Sequence, residues 1–130
     1  MVELVLPDSN FYINCARAGI DPFVELAAWT DRWDFATCGM VVIEVCRGRR
    51  DPARHQRFRE RFAIMPYIAT GSSVWERAEE LAWSLDRRGV VLPATDLLIA
   101  ACALHANAAV LTADAHFSAI PGLRVLDRLG

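Results

Sequence analysis

Lysine is missing from this 130-residue sequence: all 14 lysine-or-arginine positions are arginine. A Walker-type phosphate loop, a Schiff-base enzyme and a lysine-dependent phosphoacceptor domain each need a lysine, so its absence excludes all three. Paired cysteine motifs are missing as well. Cys15, Cys38, Cys46 and Cys102 stand apart in apolar surroundings, with no CxxC and no zinc-ligand spacing. They read as small buried hydrophobes of a reducing compartment. No N-terminal stretch has the charged start and apolar core of a signal peptide. No apolar run reaches the roughly 18 residues of a membrane span. These absences point to a cytoplasmic protein without a membrane partner. Strong positive charge is lacking too. Sixteen acidic residues bring the formal net charge to -2, so any nucleic-acid contact must rest on a local patch and not on the overall field.

What is present is apolar content of 54%, enough for a core within one domain spanning residues 1–130. Glu3 to Leu6 reads as a strand, Phe11 to Ala16 as a helix closed by Gly19, and Asp21-Pro22 as a helix start. Asp34 to Cys38 reads as one strand ended by Gly39. Met40 to Gly48 follows as an apolar helix interrupted only by Glu44. Asp51-Pro52 opens an arginine-rich helix with Phe58 and Phe62 four apart. Ile64 to Ile68 is irregular. Ser73-Val74-Trp75-Glu76 has the form of a capping box, opening a helix ended by Gly89. Thr95 or Asp96 is the expected cap of an apolar helix, Leu97 to His105. Ala109 to Thr112 and Leu123 to Leu126 read as strands on either side of a turn at Asp114 to Phe117. Strands alternating with helices predict an α/β fold: a three-layer α/β/α sandwich around a mostly parallel sheet.

The acidic residues carry the chemistry. Asp8 and Asp114 each follow a strand, where ligands bind in open parallel sheets. Asp96 opens a helix that can face the same crevice. Glu44 is a lone carboxylate in a very apolar helix, costly to bury unless paired. Each has a plainer reading. The three aspartates also suit helix N-caps, and Glu44 also suits an exposed stripe or a pair with Arg47 at i+3. Should the four converge, two carboxylates 5 Å apart repel by about 3 kcal/mol at an effective dielectric near 20. Protonation or a bound cation relieves that repulsion. Oxygen ligands favour Mg²⁺ or Mn²⁺ over zinc, and such an ion supports phosphodiester hydrolysis.

At these residues the chain resembles the PIN-domain nucleases, especially the VapC-type toxins of bacterial toxin–antitoxin pairs. The opening Leu6-Pro7-Asp8-Ser9-Asn10-Phe11-Tyr12-Ile13 is similar to that family's first acidic motif, and Glu44-Val45-Cys46-Arg47-Gly48 to its second. Asp96-Leu97-Leu98-Ile99-Ala100-Ala101 resembles the third, and is the most specific. Leu111-Thr112-Ala113-Asp114-Ala115-His116-Phe117 resembles the last, and Ile120-Pro121-Gly122-Leu123 the approach to the final strand. The resemblance covers nearly the whole chain. It implies a PIN-like fold with Asp8, Glu44, Asp96 and Asp114 as catalytic, metal-binding acids for Mg²⁺ or Mn²⁺. It also implies supporting roles for Ser9, Asn10 and Thr112. The implied activity is hydrolysis of RNA, and the implied partners are a second copy of the chain and a small VapB-like antitoxin. Pro7 departs from the family pattern, and its missing backbone donor predicts a distorted strand end.

Arg47, Arg49, Arg50, Arg54, Arg57, Arg59 and Arg61 crowd one segment. Arg17, Arg47, Arg49 and Arg50 are candidate RNA contacts near Glu44; a solvated helix face or an antitoxin surface is the plainer reading. The spacing of Trp29 with Trp33, and of Trp75 with Trp83, suits core or subunit packing better than base stacking. His116 reads as a surface or capping group. Two other functions fit less well. A different phosphoryl-transfer hydrolase usually carries a second aspartate in the Asp8-Ser9-Asn10 segment. A non-catalytic PIN-fold interaction module has no need of four intact acids.

Overall fold

A computed structural model describes residues 2–130. Strand β1 (Glu3–Pro7) is followed by helices α1 (Ser9–Arg17) and α2 (Pro22–Ala27), then by β2 (Trp33–Phe35) and β3 (Thr37–Cys38). Helices α3 (Gly39–Cys46) and α4 (Pro52–Ala63), strand β4 (Tyr67–Ile68), and helices α5 (Ser72–Arg87) and α6 (Ala94–His105) come next. Strand β5 (Ala109–Leu111), a 3₁₀ turn (Ala115–Ala119) and β6 (Val125–Leu126) complete the order.

The central sheet runs β2-β1-β5-β6, with every pairing parallel. From β1 the chain crosses outward to β2, then returns past β1 to β5. Right-handed crossovers in opposite directions put their helices on opposite faces, which gives the α/β/α sandwich. The reversal between β1 and β5 is the topological switch point, where a crevice opens beyond the strand ends. Where they pair with each other, Val5 to Pro7 of β1 and Ala109 to Leu111 of β5 are buried, as parallel strands covered on two faces must be. Helix α6 is buried continuously from Leu97 to Ala103, so it belongs to the core. A ring cluster of Tyr12, Phe23, Phe58 and Phe62 joins α1, α2 and α4, with centroids 5.0–5.7 Å apart. Phe58 and Phe62 are thus the buried face of α4, as their spacing predicts.

Several local expectations need correction. The single strand over Asp34 to Cys38 is two strands, because the chain changes partners at Ala36: Phe35 pairs with Val5 of β1, whereas Thr37 pairs with Tyr67 of β4. The segment from Ile64 to Ile68 therefore contains a short strand. The capping box at Ser73 is absent. Helix α5 begins earlier, with Gly71 in extended conformation accepting from Val74 and Trp75 through its carbonyl. Neither Thr95 nor Asp96 caps α6. Pro93 starts that helix and its carbonyl accepts from the Leu97 N–H at 3.1 Å, which puts Asp96 inside the first turn with its carboxylate free for other partners.

Pro7 does not distort β1. The Asp8 N–H donates to the Leu111 carbonyl at 2.9 Å, so by strand alternation the Pro7 nitrogen faces the β2 side, where pairing has already ended at Phe35. Gly19 and Gly89 follow α1 and α5 with positive φ of 73° and 79°, the left-handed conformation that ends a helix cheaply at glycine. Trp33 is buried and Trp29 packs half-buried against the core, whereas Trp75 and Trp83 are 56% and 61% exposed. Among the described residues, no helix is long and apolar enough to cross a membrane.

Candidate active site

Asp8 leaves the end of β1 and is fully buried. It occupies the N-cap position of α1, but its side chain bonds no N–H of that helix in the manner of a cap. Its two oxygens are held from opposite sides. The Thr112 hydroxyl donates to Asp8 Oδ2 at 3.0 Å, and the Ser9 hydroxyl lies 3.3 Å from Oδ1. The same Ser9 hydroxyl is 3.0 Å from Glu44 Oε1. One proton stands between two carboxylates, so Ser9 holds them together without neutralising them.

Thr112 ties Asp8 to the next acid. Its Oγ1 accepts from the Asp114 backbone N–H at 3.0 Å. Asp114 Oδ1 in turn accepts from the His116 N–H at 2.9 Å. The cap reading therefore applies to one oxygen of Asp114, leaving the other available. The His116 ring completes the chain, with Nδ1 3.3 Å from Asp114 Oδ1 and 3.5 Å from Asp96 Oδ2. Among the described residues, Asp96, Asp114 and His116 offer ligand atoms all within 4.8 Å of one another.

The charges interact as closely as the contacts suggest. Burial pushes the Asp8 carboxyl above its usual range, and the charge of Asp114 adds to that; hydrogen bonds from Thr112 and Ser9 oppose it. Burial also raises Asp96, followed by the charge of Asp8 and, more weakly, those of Asp114 and Glu44, against the hydrogen bond from His116. One carboxyl group, on α6, thus senses the other three acids, which arrive from the end of β1, from α3 and from the segment after β5.

Glu44 is half-buried and forms no ion pair with Arg47 among the described residues. Asn10 is half-buried in the first turn of α1 and joins none of the side-chain hydrogen bonds of this network. Arg17, Arg49 and Arg50 line a cavity with Glu44, and Arg54 joins them; Arg47 is not among its lining residues. His116 belongs to the cluster although the sequence gives it only a surface or capping reading. The available signal was its place two residues after Asp114 in a tight turn, which returns the ring over the carboxylate.

Residues 5–123 match the PIN domain family model. The chain belongs to the PIN domain family. No curated protein matches it significantly in sequence. Among solved structures it is similar to VapBC2 from Rickettsia felis bound to a DNA fragment from their promoter (TM-score 0.79, 21% identity, covering 95% of this chain and 97% of that one). DNA-bound VapBC from Salmonella typhimurium superposes with TM-score 0.77 at 20% identity, covering 97% of this chain and 98% of that one. A toxin–antitoxin complex from Klebsiella pneumoniae gives 0.70 at 24% identity, covering 94% and 95%. At these identities the likeness is one of fold.

Proposed function

We propose that the chain is a divalent-metal-dependent endoribonuclease, the VapC-type toxin of a toxin–antitoxin pair, with Asp8, Glu44, Asp96 and Asp114 as its catalytic acids. The observation that carries this reading is geometric: Asp96, Asp114 and His116 offer ligand atoms within 4.8 Å of one another, and Ser9 joins Asp8 to Glu44. Burial first, and then the charges of the other three acids, hold the Asp96 carboxyl above its usual range. A cation relieves that repulsion.

The donor set fits Mg²⁺ or Mn²⁺, being mainly carboxylate oxygen. Asp96 and Asp114 would hold the ion directly, with Asp8 and Glu44 completing its acidic surroundings and His116 at the rim. When bound, such an ion activates water and stabilises charge developing on a phosphodiester. The chain's own residues supply orientation. Thr112 and Ser9 fix the Asp8 carboxylate, and the Asp114 backbone fixes Thr112. Asn10 stands close enough in sequence to orient a water at the same strand end.

RNA as the substrate rests on the family and on the cavity beside Glu44 that Arg17, Arg49 and Arg50 line; Arg47, outside that lining, is a contact candidate by its place in the sequence alone. The antitoxin partner rests on the fold shared with toxin–antitoxin complexes. A homodimer is supported by the exposed Trp75, Trp83 and Val91, apolar surface that a second copy would cover. Four cysteines without a disulfide suit the reducing cytoplasm. A non-catalytic interaction module would gain nothing from the shared repulsion among four acids.

The test is RNA incubated with the protein in Mg²⁺ or Mn²⁺, then with chelator, then with Asp8→Asn and Asp96→Asn. Cleavage only by the unmodified protein with metal is expected. Equal cleavage by the variants would mark a contaminating nuclease, and no cleavage in any arm would favour the interaction module.

A further inference from the structure

The proposed reaction leaves two buried thiols without a task. Cys38 ends β3 at the N-cap position of α3, and Cys102 lies in the second half of α6. Both are fully buried, and their thiols lie within hydrogen-bond reach of each other. The Thr70 hydroxyl is 3.8 Å from Cys102 Sγ. The two sulfurs are not bonded, since all four cysteines are free.

The pair is unequal. The hydrogen bond from Cys38 pulls the Cys102 thiol below its ordinary range against the cost of burial, and Thr70 adds to the pull. The same contact, followed by burial, pushes the Cys38 thiol up. Burial also raises Cys15 and Cys46. Cys102 is therefore the readiest of the four to ionise, and a second thiol already stands beside it.

The cover over the pair is thin. Strands β3 and β4 have two residues each, Thr37 pairing with Tyr67 and Cys38 with Ile68. The Thr37 hydroxyl is buried with no hydrogen-bond partner among the described residues, which costs that ladder stability. Thr70, just beyond β4, is half-buried. Local opening of so short a ladder admits a small oxidant to both sulfurs. The thiols also sit on the helices that carry two of the acids, Glu44 on α3 and Asp96 on α6. A covalent S–S bond is shorter than a hydrogen-bonded contact, so forming it draws the start of α3 towards α6.

We propose that Cys38 and Cys102 are a redox site: hydrogen peroxide joins them in a reversible disulfide that shifts α3 against α6 and weakens the cation site to which Glu44 and Asp96 belong. The effect on the cation site rests on the metal reading above; formation of the bond does not. The Cys102 thiolate attacks one peroxide oxygen, the O–O bond breaks, and hydroxide leaves a sulfenic acid on Cys102. The Cys38 sulfur then attacks the Cys102 sulfur and breaks its S–O bond. The released hydroxide takes the Cys38 proton. Two thiols give up two electrons, and one peroxide becomes two waters. A thiol reductant reverses the bond by exchange.

The test treats the whole chain with hydrogen peroxide at neutral pH, removes the oxidant, and combines intact mass, peptide mapping and titration with Mn²⁺. A mass lower by two hydrogens and a peptide linking Cys38 to Cys102 are expected, with Cys15 and Cys46 still open to alkylation after unfolding. The linked form is expected to bind Mn²⁺ about tenfold more weakly, and dithiothreitol to restore both mass and affinity. This comparison of the parent with itself needs no variant to fold. Cys38→Ala, its fold verified by a thermal melt, is expected to form no link and to carry added oxygen on Cys102 instead. The Cys15→Ala, Cys46→Ala double variant is expected to respond as the parent does. No link in the parent, a link through Cys15 or Cys46, or a linked form with undiminished Mn²⁺ affinity would each overturn the proposal. A link in a chain that takes up no Mn²⁺ even when reduced would remove the metal reading, and the switch with it, and leave the disulfide alone standing.

Discussion

The Thr112 hydroxyl donates to the buried Asp8 Oδ2 at 3.0 Å while its oxygen accepts from the Asp114 N–H at the same distance. A neutral residue thereby locks the acid at the end of β1 to the acid that follows β5. Thr112→Val removes both contacts and leaves a buried carboxylate oxygen with one fewer donor, a cost of about 1–3 kcal/mol. Metal affinity is expected to fall about 10- to 100-fold, as for other groups that orient ligands. Thr112→Ser is expected to restore most of it. Calorimetric titration with Mn²⁺ checks both.

Asp96 gives a signed dependence on pH. Its folded-state pKa is raised, so its ionised form disfavours the folded chain. That penalty is absent below the unfolded value of about 3.9, grows as pH rises, and is complete above the folded value. In chelator, Asp96→Asn is expected to melt at a higher temperature than the parent at neutral pH. The two melting curves converge as pH falls towards about 4. Scanning calorimetry across that range is the check.

His116 is 53% exposed at its side chain yet touches both Asp96 and Asp114. His116→Ala is expected to leave the melting temperature of the metal-free protein nearly unchanged, as surface substitutions do. Metal affinity and RNA cleavage are expected to drop by about tenfold, the lower end for outer ligand-orienting groups. Loss of stability with unaltered metal affinity would assign His116 to the turn alone.

Metal is also expected to stabilise the fold. At a concentration 100 times its dissociation constant, a ligand bound only by the folded state contributes about 2.7 kcal/mol. Mn²⁺ should therefore raise the melting temperature of the parent and have little effect on Asp8→Asn. Thermal melts with and without EDTA measure the difference.

Much of this was legible in the residues. Strand ends followed by Asp8 and Asp114 place both at the switch point once the sheet is parallel, and Phe58 and Phe62 declare the inner face of α4. Other features depended on tertiary partners. The break at Ala36 exists because β1 and β4 compete for one extended run. The start of α6 follows the extended Pro93, which overrides the capping preference of Thr95 and Asp96. The Ser9 link between Asp8 and Glu44 spans 35 positions in sequence, and no local pattern announces it. His116 was missed because a ring's direction in a tight turn is set by the fold, and spacing alone leaves it open.

Isothermal titration of the metal-free chain with Mn²⁺, beside Asp8→Asn and Asp96→Asn, bears most directly on the gathered carboxylates. Saturable uptake by the parent, weakened at least about tenfold in each variant, is the expected result. No uptake by the parent, or uptake indifferent to both substitutions, would contradict a shared cation site.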